Sequence, residues 1–211
     1  MNKGIIKLTL KQLLDCGAQQ GYARQLFSNH IKPYLIGYKG TVSIFDLSNA
    51  HLQLKSVLRV IMHLASKRQN ILVVNHFHEE YNLYKFNHIL KGCVLLEGHW
   101  RGGFLTNFKF IRLYTVYTQK QHPHLWALGT PPALTVFLNT TLENWSIKES
   151  INLGIPTSVI TGSNFSEINN VLYPIIANNH TAEPLYFYFR LIRSAVKRGL
   201  IKEQLGITQL I

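Results

Sequence analysis

The feature that most constrains the fold of this chain is its alternation of short strand-like runs with longer helix-like runs. Ile71–Val74 and Cys93–Leu96 are short continuous apolar runs, typical of strands that are covered on both faces. Upstream of them, apolar residues recur at the three- and four-residue spacing of one helix face, at Leu54, Val57, Leu58 and Ile61. The alternation predicts an α/β fold, with a parallel sheet covered by helices on both faces.

The same patterns place the remaining elements. We predict strands at Thr41–Phe45, Leu134–Leu138, Pro156–Ile160 and Leu172–Ile176. We predict helices at Glu79–Leu90, Phe104–Tyr117 and Ser146–Leu153, and a last helix from about Thr181 to Gly199. That glycine is expected in a left-handed cap, and Asp46, Ser48 or Asn49 is expected to cap the helix that carries Leu54. Residues 118–132 contain three prolines and read as a surface loop, so residues 1–211 form a single domain.

The charge of the chain favours a polyanionic partner. Lys and Arg number 22 against 10 Asp and Glu, a formal net charge of +12. The excess lies in residues 1–120 and 190–211, whereas residues 121–189 hold one lysine and four glutamates. This distribution predicts one binding face. The alternative left open is charge that only keeps the protein soluble.

The two cysteines and the hydropathy of the chain indicate the cellular compartment in which we expect it. Cys16 and Cys93 form no C-x-x-C pair, so we expect two small buried side chains in a reducing compartment. No apolar run approaches the roughly 20 residues of a membrane-spanning helix, and the first residues lack the apolar core of a signal peptide. We expect a protein that is not secreted.

Residues 99–107, with the sequence His-Trp-Arg-Gly-Gly-Phe-Leu-Thr-Asn, are the most informative for function. The adjacent Gly102 and Gly103 allow a tight turn and a close approach of the backbone to a partner. Arg101 can form a fork on a phosphate group, and Trp100 can either stack on a base or pack in the core.

This run resembles the tryptophan–glycine–glycine–leucine–threonine–asparagine motif of the small-subunit ribosomal protein S-two family. Further stretches similar to the family follow in order: Lys32–Gly37 with Thr41–Leu47, Pro132–Leu138, Ser146–Pro156, Asn164, Tyr173–Pro174 and Asn178–Asn179. The resemblance covers residues 12–198. It implies a flavodoxin-like, Rossmann-like fold and a structural protein of the small ribosomal subunit, without catalysis, cofactor, metal, membrane or small-molecule substrate. The implied partners are small-subunit rRNA and neighbouring ribosomal proteins.

The chain departs from the family pattern at two places. Residues 118–132 stand where bacterial members carry a long helical hairpin. The roughly twenty residues between Arg112 and Ala133 are too few for two packed helices at about 1.5 Å per residue. Another protein, or shortened rRNA, is expected in the space of that hairpin. Residues 19–22 replace the family's histidine–phenylalanine–glycine–histidine. With the Tyr, Phe, Asn, Ile and Lys-rich composition, these departures favour a mitochondrial member over a plastid or bacterial one. Residues 1–40 are read as an N-terminal extension and lead-in.

The residues expected to bind RNA combine this motif with basic residues that flank loops or lie on the last helix. Arg190, Arg193 and Lys197 form one helical stripe at residues 181–199, for which a merely solvated face is the alternative. The full predicted set is Arg24, Lys32, Lys39, Trp100, Arg101, Gly102, Gly103, Asn107, Lys109, Arg112, Arg190, Arg193, Lys197 and Arg198.

The main alternative is a Rossmann-like nucleotide-binding protein or enzyme with an altered motif, which a nucleotide-dependent rise in melting temperature would reveal. The glycines of residues 98–103 lack the G-x-G-x-x-G spacing, and no G-x-S-x-G motif occurs. His76, His78 and Glu79 are close enough in sequence to suggest a metal site, but no further ligand occurs at suitable spacing. The same holds for His122 and His124, so a metal site is not expected at either place. A third class, a peripheral membrane protein, would be tested by co-sedimentation with liposomes.

Overall fold

A computed structural model describes residues 8–24, 28–76, 93–97, 100, 102–110, 130–140 and 144–205. Its centre is a five-stranded sheet in the order β5-β4-β6-β7-β8, and every neighbouring pair is parallel. The strands are β4 (Ile71–Asn75), β5 (Cys93–Glu97), β6 (Leu134–Phe137), β7 (Thr157–Thr161) and β8 (Tyr173–Ile176). Each predicted strand of this sheet is confirmed to within one residue at either end.

Helices cover both faces of the sheet, which confirms the predicted fold class. On the first face lie α1 (Leu10–Asp15), α2 (Leu47–Ser66) and α4 (Ala182–Gln204), and their apolar side chains share one core with Ile71 and Val73. On the second face, α3 (Trp145–Asn152) and residues 104–108 pack against Leu72 and Val74. Successive strand residues point to opposite faces, so a sheet covered twice needs the continuous apolar runs that β4 shows.

The long helix α2 forms as its sequence predicts. Leu54, Val57, Leu58 and Ile61 are all buried, and Asp46 is the N-cap, with its Oδ1 atom accepting a hydrogen bond from the Ser48 amide at 2.9 Å. This bond satisfies one of the free amides of the first turn.

The N-terminal part forms a second, antiparallel sheet that the sequence analysis did not predict. It contains β1 (Gln20–Ala23), β2 (Leu35–Lys39) and β3 (Val42–Phe45) in the order β1-β3-β2. The predicted strand Thr41–Phe45 therefore exists as β3 but lies outside the parallel sheet. A two-residue turn at Gly40 and Thr41 joins β2 to β3, with Gly40 at φ +61°. A 3-10 turn at Asn29–Tyr34 precedes β2.

The predicted end of the last helix at Gly199 is wrong, because α4 continues to Gln204. A Cβ atom on Gly199 would lie 2.4 Å from the Met62 carbonyl oxygen and 2.6 Å from the Ala65 Cβ atom. The glycine thus serves the close packing of α4 on α2 and is not a cap. Glu203 lies one turn after Gly199 on α4 and forms an ion pair with Arg68, which follows α2. The distance between the Arg68 Nε and Glu203 Oε1 atoms is 2.6 Å.

Several predictions lie outside the described residues, namely the helix at Glu79–Leu90, the second half of the helix at Phe104–Tyr117 and most of the loop at 118–132. The predicted start of the second helix at Phe104 is wrong, because residues 104–107 form a turn. In the described parts of these segments, residues 108–110 are helical and residues 130–132 lead into β6. No helix in the described part of the chain has the length and apolarity needed to cross a membrane.

Candidate nucleic-acid interface

The two glycines of the 99–107 motif have different structural roles. Gly103 has φ +86°, a conformation that side chains disfavour, and its carbonyl oxygen accepts a hydrogen bond from the Asn107 amide at 2.7 Å. Gly102 is exposed, and a Cβ atom there would meet nothing within 4 Å. Gly103 is therefore needed to form the turn, whereas no contact among the described residues requires a glycine at position 102.

A buried carboxylate from α3 holds this turn in shape. The Glu149 Oε1 atom accepts hydrogen bonds from the amides of Leu105 (2.7 Å) and Thr106 (2.8 Å) and from the Thr106 hydroxyl (3.0 Å). Its Oε2 atom accepts a fourth, at 2.8 Å, from the indole nitrogen of Trp100. Burial of a carboxylate is tolerated when hydrogen bonds replace its hydration, and here four donors do so.

Trp100 packs at the edge of the second core. Its ring centroid lies 4.7 Å from that of Phe104 and 6.2 Å from that of Phe137, and the side chain is half-buried. With its N–H group bound to Glu149, the indole fixes the start of the turn. Of the two roles left open for Trp100, packing is the one its described contacts support.

The outer side of the turn is polar and basic. Thr106, Asn107 and Lys109 are exposed, and so is Phe110, whose side chain is 75% exposed. Arg101 and Arg112 lie outside the described residues. Together with Gly102, the exposed Thr106, Asn107 and Lys109 form what we call the glycine-turn surface.

The basic residues of α4 lie on the opposite side of the molecule. Arg190 and Lys197 are exposed, and Arg193 and Arg198 are half-buried. The Arg190 guanidinium lies 5.7 Å from the centre of the Phe187 ring. Because α4 packs on the first face of the sheet and the glycine turn on the second, the predicted residues do not lie on one face, and which surface binds stays a prediction. The predicted residues form separate surfaces.

A third surface lies on the N-terminal sheet, where Arg24, Lys32 and Lys39 are exposed. The Arg24 guanidinium carbon lies 5.0 Å from the centre of the Tyr38 ring, and Tyr38 is 42% exposed. Tyr38 is not among the predicted site residues, because the pairing of β1, β3 and β2 that brings Arg24 over it depends on tertiary structure. The only signal in the sequence was a tyrosine beside Lys39, between two glycines.

The carboxyl edge of the parallel sheet is the usual ligand site in such folds, and here it carries buried side chains. The strand order reverses between β4 and β6, where a doubly wound sheet opens a crevice. There the Asn139 side chain accepts from the His76 amide (2.8 Å) and donates to Asn75 Oδ1 (2.7 Å), and His76 Nε2 lies 3.0 Å from Ser146 Oγ. All four residues are buried.

The cysteines and the candidate metal ligands have no catalytic geometry in this part of the structure. Burial raises the pKa of the Cys93 thiol to about 12 and also raises the pKa of Cys16, which keeps both thiols protonated at neutral pH. Within the described ranges, no three His, Cys, Asp or Glu side chains are placed to hold a metal ion. His78, Glu79, His122 and His124 fall outside those ranges.

Comparison with known proteins decides the family. The model of the ribosomal protein S2 family matches residues 13–124 and 114–199, which together span most of the chain. The chain belongs to the ribosomal protein S2 family. This membership confirms the resemblance drawn from residues 99–107 and from the other motifs, which lie at residues 32–47 and 132–179.

Relatives in the ribosomal protein S2 family cover nearly the whole chain. The proteins named small ribosomal subunit protein uS2 from Agrobacterium fabrum, Sinorhizobium medicae and Brucella ovis are each 24% identical to it. Each alignment covers 93% of this chain and 88% of the relative. The predicted function, a structural component of the small ribosomal subunit, is confirmed at this level.

Two S2 family motifs meet in this structure through a single side chain. Glu149 belongs to the isoleucine–lysine–glutamate stretch that begins α3, and it binds the turn of the tryptophan–glycine–glycine motif across 44 residues of sequence. Both stretches are recognisable in the sequence, but the sequence does not show that the Glu149 side chain binds the turn at residues 100–106.

Proposed function

We propose that this S2 family protein binds rRNA and neighbouring proteins of the small subunit through separate surfaces and performs no chemistry. The glycine-turn surface is the observation that carries the proposal. Glu149 fixes the turn from within, and Gly102 leaves its outer side open. A rigid, uncovered backbone turn beside Lys109 is suited to close contact with a phosphate backbone.

The α4 surface and the N-terminal sheet supply the other proposed contacts. Arg190 and Lys197 offer exposed cations along one helix and Arg193 a half-buried one, whereas Arg198 has one guanidinium nitrogen buried. Of the two carboxylates on this helix, Glu203 is bound to Arg68, and Glu183 lies in the first turn. Cations without a carboxylate partner remain able to displace the counterions of a phosphate backbone.

Substitutions at the two glycines test the glycine-turn surface. Gly102→Val places a side chain in open space, so we expect an unchanged melting temperature but reduced incorporation into small subunits, measured by sedimentation of the tagged chain. Gly103→Ala strains a φ of +86° and is expected to destabilise the fold itself by about 1 kcal/mol. Normal incorporation of the Gly102→Val chain would remove this surface from the proposal.

We propose a mitochondrial ribosome as the location, on the basis of the composition and of the short segment at residues 118–132. The alignments to relatives extend over 225 positions although the chain has 211 residues, so those relatives carry residues without a counterpart here. The family match also divides into two parts that overlap at residues 114–124. Fractionation of the tagged chain tests the location, and recovery only in cytosolic or plastid ribosomes would contradict it.

The space that the bacterial helical hairpin would occupy is proposed to hold another protein or shortened rRNA. The support is the short segment at residues 118–132, near which the two parts of the family match overlap. A density map of the assembled subunit tests this directly. Density beside residues 118–132 is expected, and a solvent-filled channel there would refute the proposal.

A further inference from the structure

We infer that the outer end of the N-terminal sheet binds an unpaired base of RNA, with Tyr38 and Arg24 as the stacking platform. This inference rests on the proposed function and deepens it, because it names the class of nucleotide that one surface takes. We call Arg24 and Tyr38 the β-sheet platform.

Strand pairing brings the platform together. Ala23 of β1 and Lys39 of β2 are both in register with Val42 of the central strand β3. The Arg24 amide continues the pairing with a hydrogen bond to the Thr41 carbonyl oxygen at 2.8 Å. Arg24 therefore lies at the same end of the sheet as Lys39, and its guanidinium reaches across β3 to within 5.0 Å of the Tyr38 ring centre.

The platform remains open to a planar group. The Tyr38 side chain is 42% exposed, and the neighbouring Ile36 is 73% exposed. Gly37 and Gly40 flank this part of β2, and a Cβ atom on either would meet nothing within 4 Å. A guanidinium already stacked on an exposed ring presents a flat surface, on which a base can stack beside Tyr38 or over Arg24.

The charge of this region favours RNA over a protein partner. From Cys16 to Phe45 the sequence contains no Asp or Glu, and its basic residues are Arg24, Lys32 and Lys39. In the described part of the chain, the two ion pairs found involve Arg68 and Lys148, so neither uses a cation of this region. Arg24, which lies over the ring, can then bind the phosphate next to a base that stacks beside Tyr38.

The aromatic ring selects an unpaired base. In a duplex, the faces of the bases are covered by their neighbours, so a protein ring cannot stack on them. Phosphate contacts alone need no aromatic ring. The β-sheet platform should therefore distinguish single-stranded from duplex RNA, whereas the cations of α4 should not.

Binding of the full chain to two RNA probes tests the inference. The probes are end-labelled single-stranded oligouridine of about ten nucleotides and a duplex RNA of the same length, at an ionic strength of about 0.15 M. Tyr38→Leu removes the ring, and Tyr38→Phe is the matched control that keeps it. We expect Tyr38→Leu to weaken single-strand binding about tenfold, with duplex binding, Tyr38→Phe binding and the melting temperature unchanged.

Two results would overturn the inference while leaving the proposed function intact. Single-strand binding by Tyr38→Leu as tight as that of the unchanged chain would show that the ring does not stack. Equal losses on both probes would show that it supports only the shape of the sheet. If the unchanged chain bound neither RNA, the inference and the proposed rRNA contacts would both fail.

Discussion

At the scale of single residues, the site depends on one buried carboxylate. Glu149 replaces its hydration with four donors from residues 100, 105 and 106, so the turn and α3 cannot separate without breaking these bonds. A glycine-containing turn would otherwise sample many conformations, and ordering it in advance reduces the entropic cost of binding a partner. The carboxylate is thus a positioning residue for the glycine-turn surface.

Substitution of Glu149 measures this effect. We expect Glu149→Ala to lower the free energy of unfolding by about 2–4 kcal/mol, because the buried Leu105 amide and other donors lose their acceptor. Glu149→Gln should cost less, about 1 kcal/mol. Its amide oxygen can still accept from residues 105 and 106, whereas its NH2 group would face the Trp100 N–H. Denaturant unfolding gives the values.

The control is Asn152→Ala, an exposed substitution on the same helix that is expected to change stability by less than about 0.5 kcal/mol. If Glu149→Ala were as stable as the Asn152 variant, the carboxylate would not hold the turn.

At the scale of elements, the packing of α4 on α2 determines where the basic residues of α4 lie. Leu185, Ile192 and Val196 are buried against the first core, which directs Arg190 and Lys197 outward. The stripe predicted from the sequence is therefore present over residues 190–197, although α4 extends beyond its predicted end.

Gly199 tests the close approach of these helices. Gly199→Ala would improve the intrinsic helix propensity by about 1 kcal/mol. We nevertheless expect a net loss of about 1–3 kcal/mol, because its Cβ atom would lie 2.4 Å from the Met62 carbonyl oxygen. Thermal unfolding beside the exposed control Lys197→Ala measures the effect. A more stable Gly199→Ala chain would mean that the glycine has no packing role.

Charge reversal tests whether α4 contacts RNA. Replacement of Arg190, Arg193 and Lys197 by glutamate should weaken association with the small subunit, since three phosphate contacts would become repulsive. The matched control reverses Lys11, Arg59 and Lys67, which are exposed and belong to none of the proposed surfaces. Sedimentation of both chains in a salt series separates a contact from net charge. Equal behaviour of the two chains would contradict a contact by α4.

At the scale of the whole molecule, the sequence predicts those parts in which local pattern and tertiary environment agree. Ile71–Val74 and the stripe from Leu54 to Ile61 could be placed because continuous and three-to-four-residue apolar spacings have few alternatives. The N-terminal sheet was missed because β1 and β2 contain glycines and have no clear alternation, so their pairing is decided by β3. Gly199 was misread because its role depends on a neighbouring helix.

The candidate site shows the same limit. The sequence of residues 99–107 predicts a functional turn. It could not show that Glu149 supports this turn, or that Arg24 lies over Tyr38. Both contacts join residues that are distant in sequence or lie on different strands. The separation of the basic residues onto different faces likewise follows only from the order of helices around the sheet.

The central claim is that this protein is a stable component of a small ribosomal subunit, docked on its RNA. Sedimentation of the tagged full chain from a mitochondrial lysate, followed by sequencing of the RNA that is captured with it, tests the claim most directly. The account predicts that the chain migrates with the small subunit and captures its rRNA. Migration as a free protein at the top of the gradient, without rRNA, would contradict it.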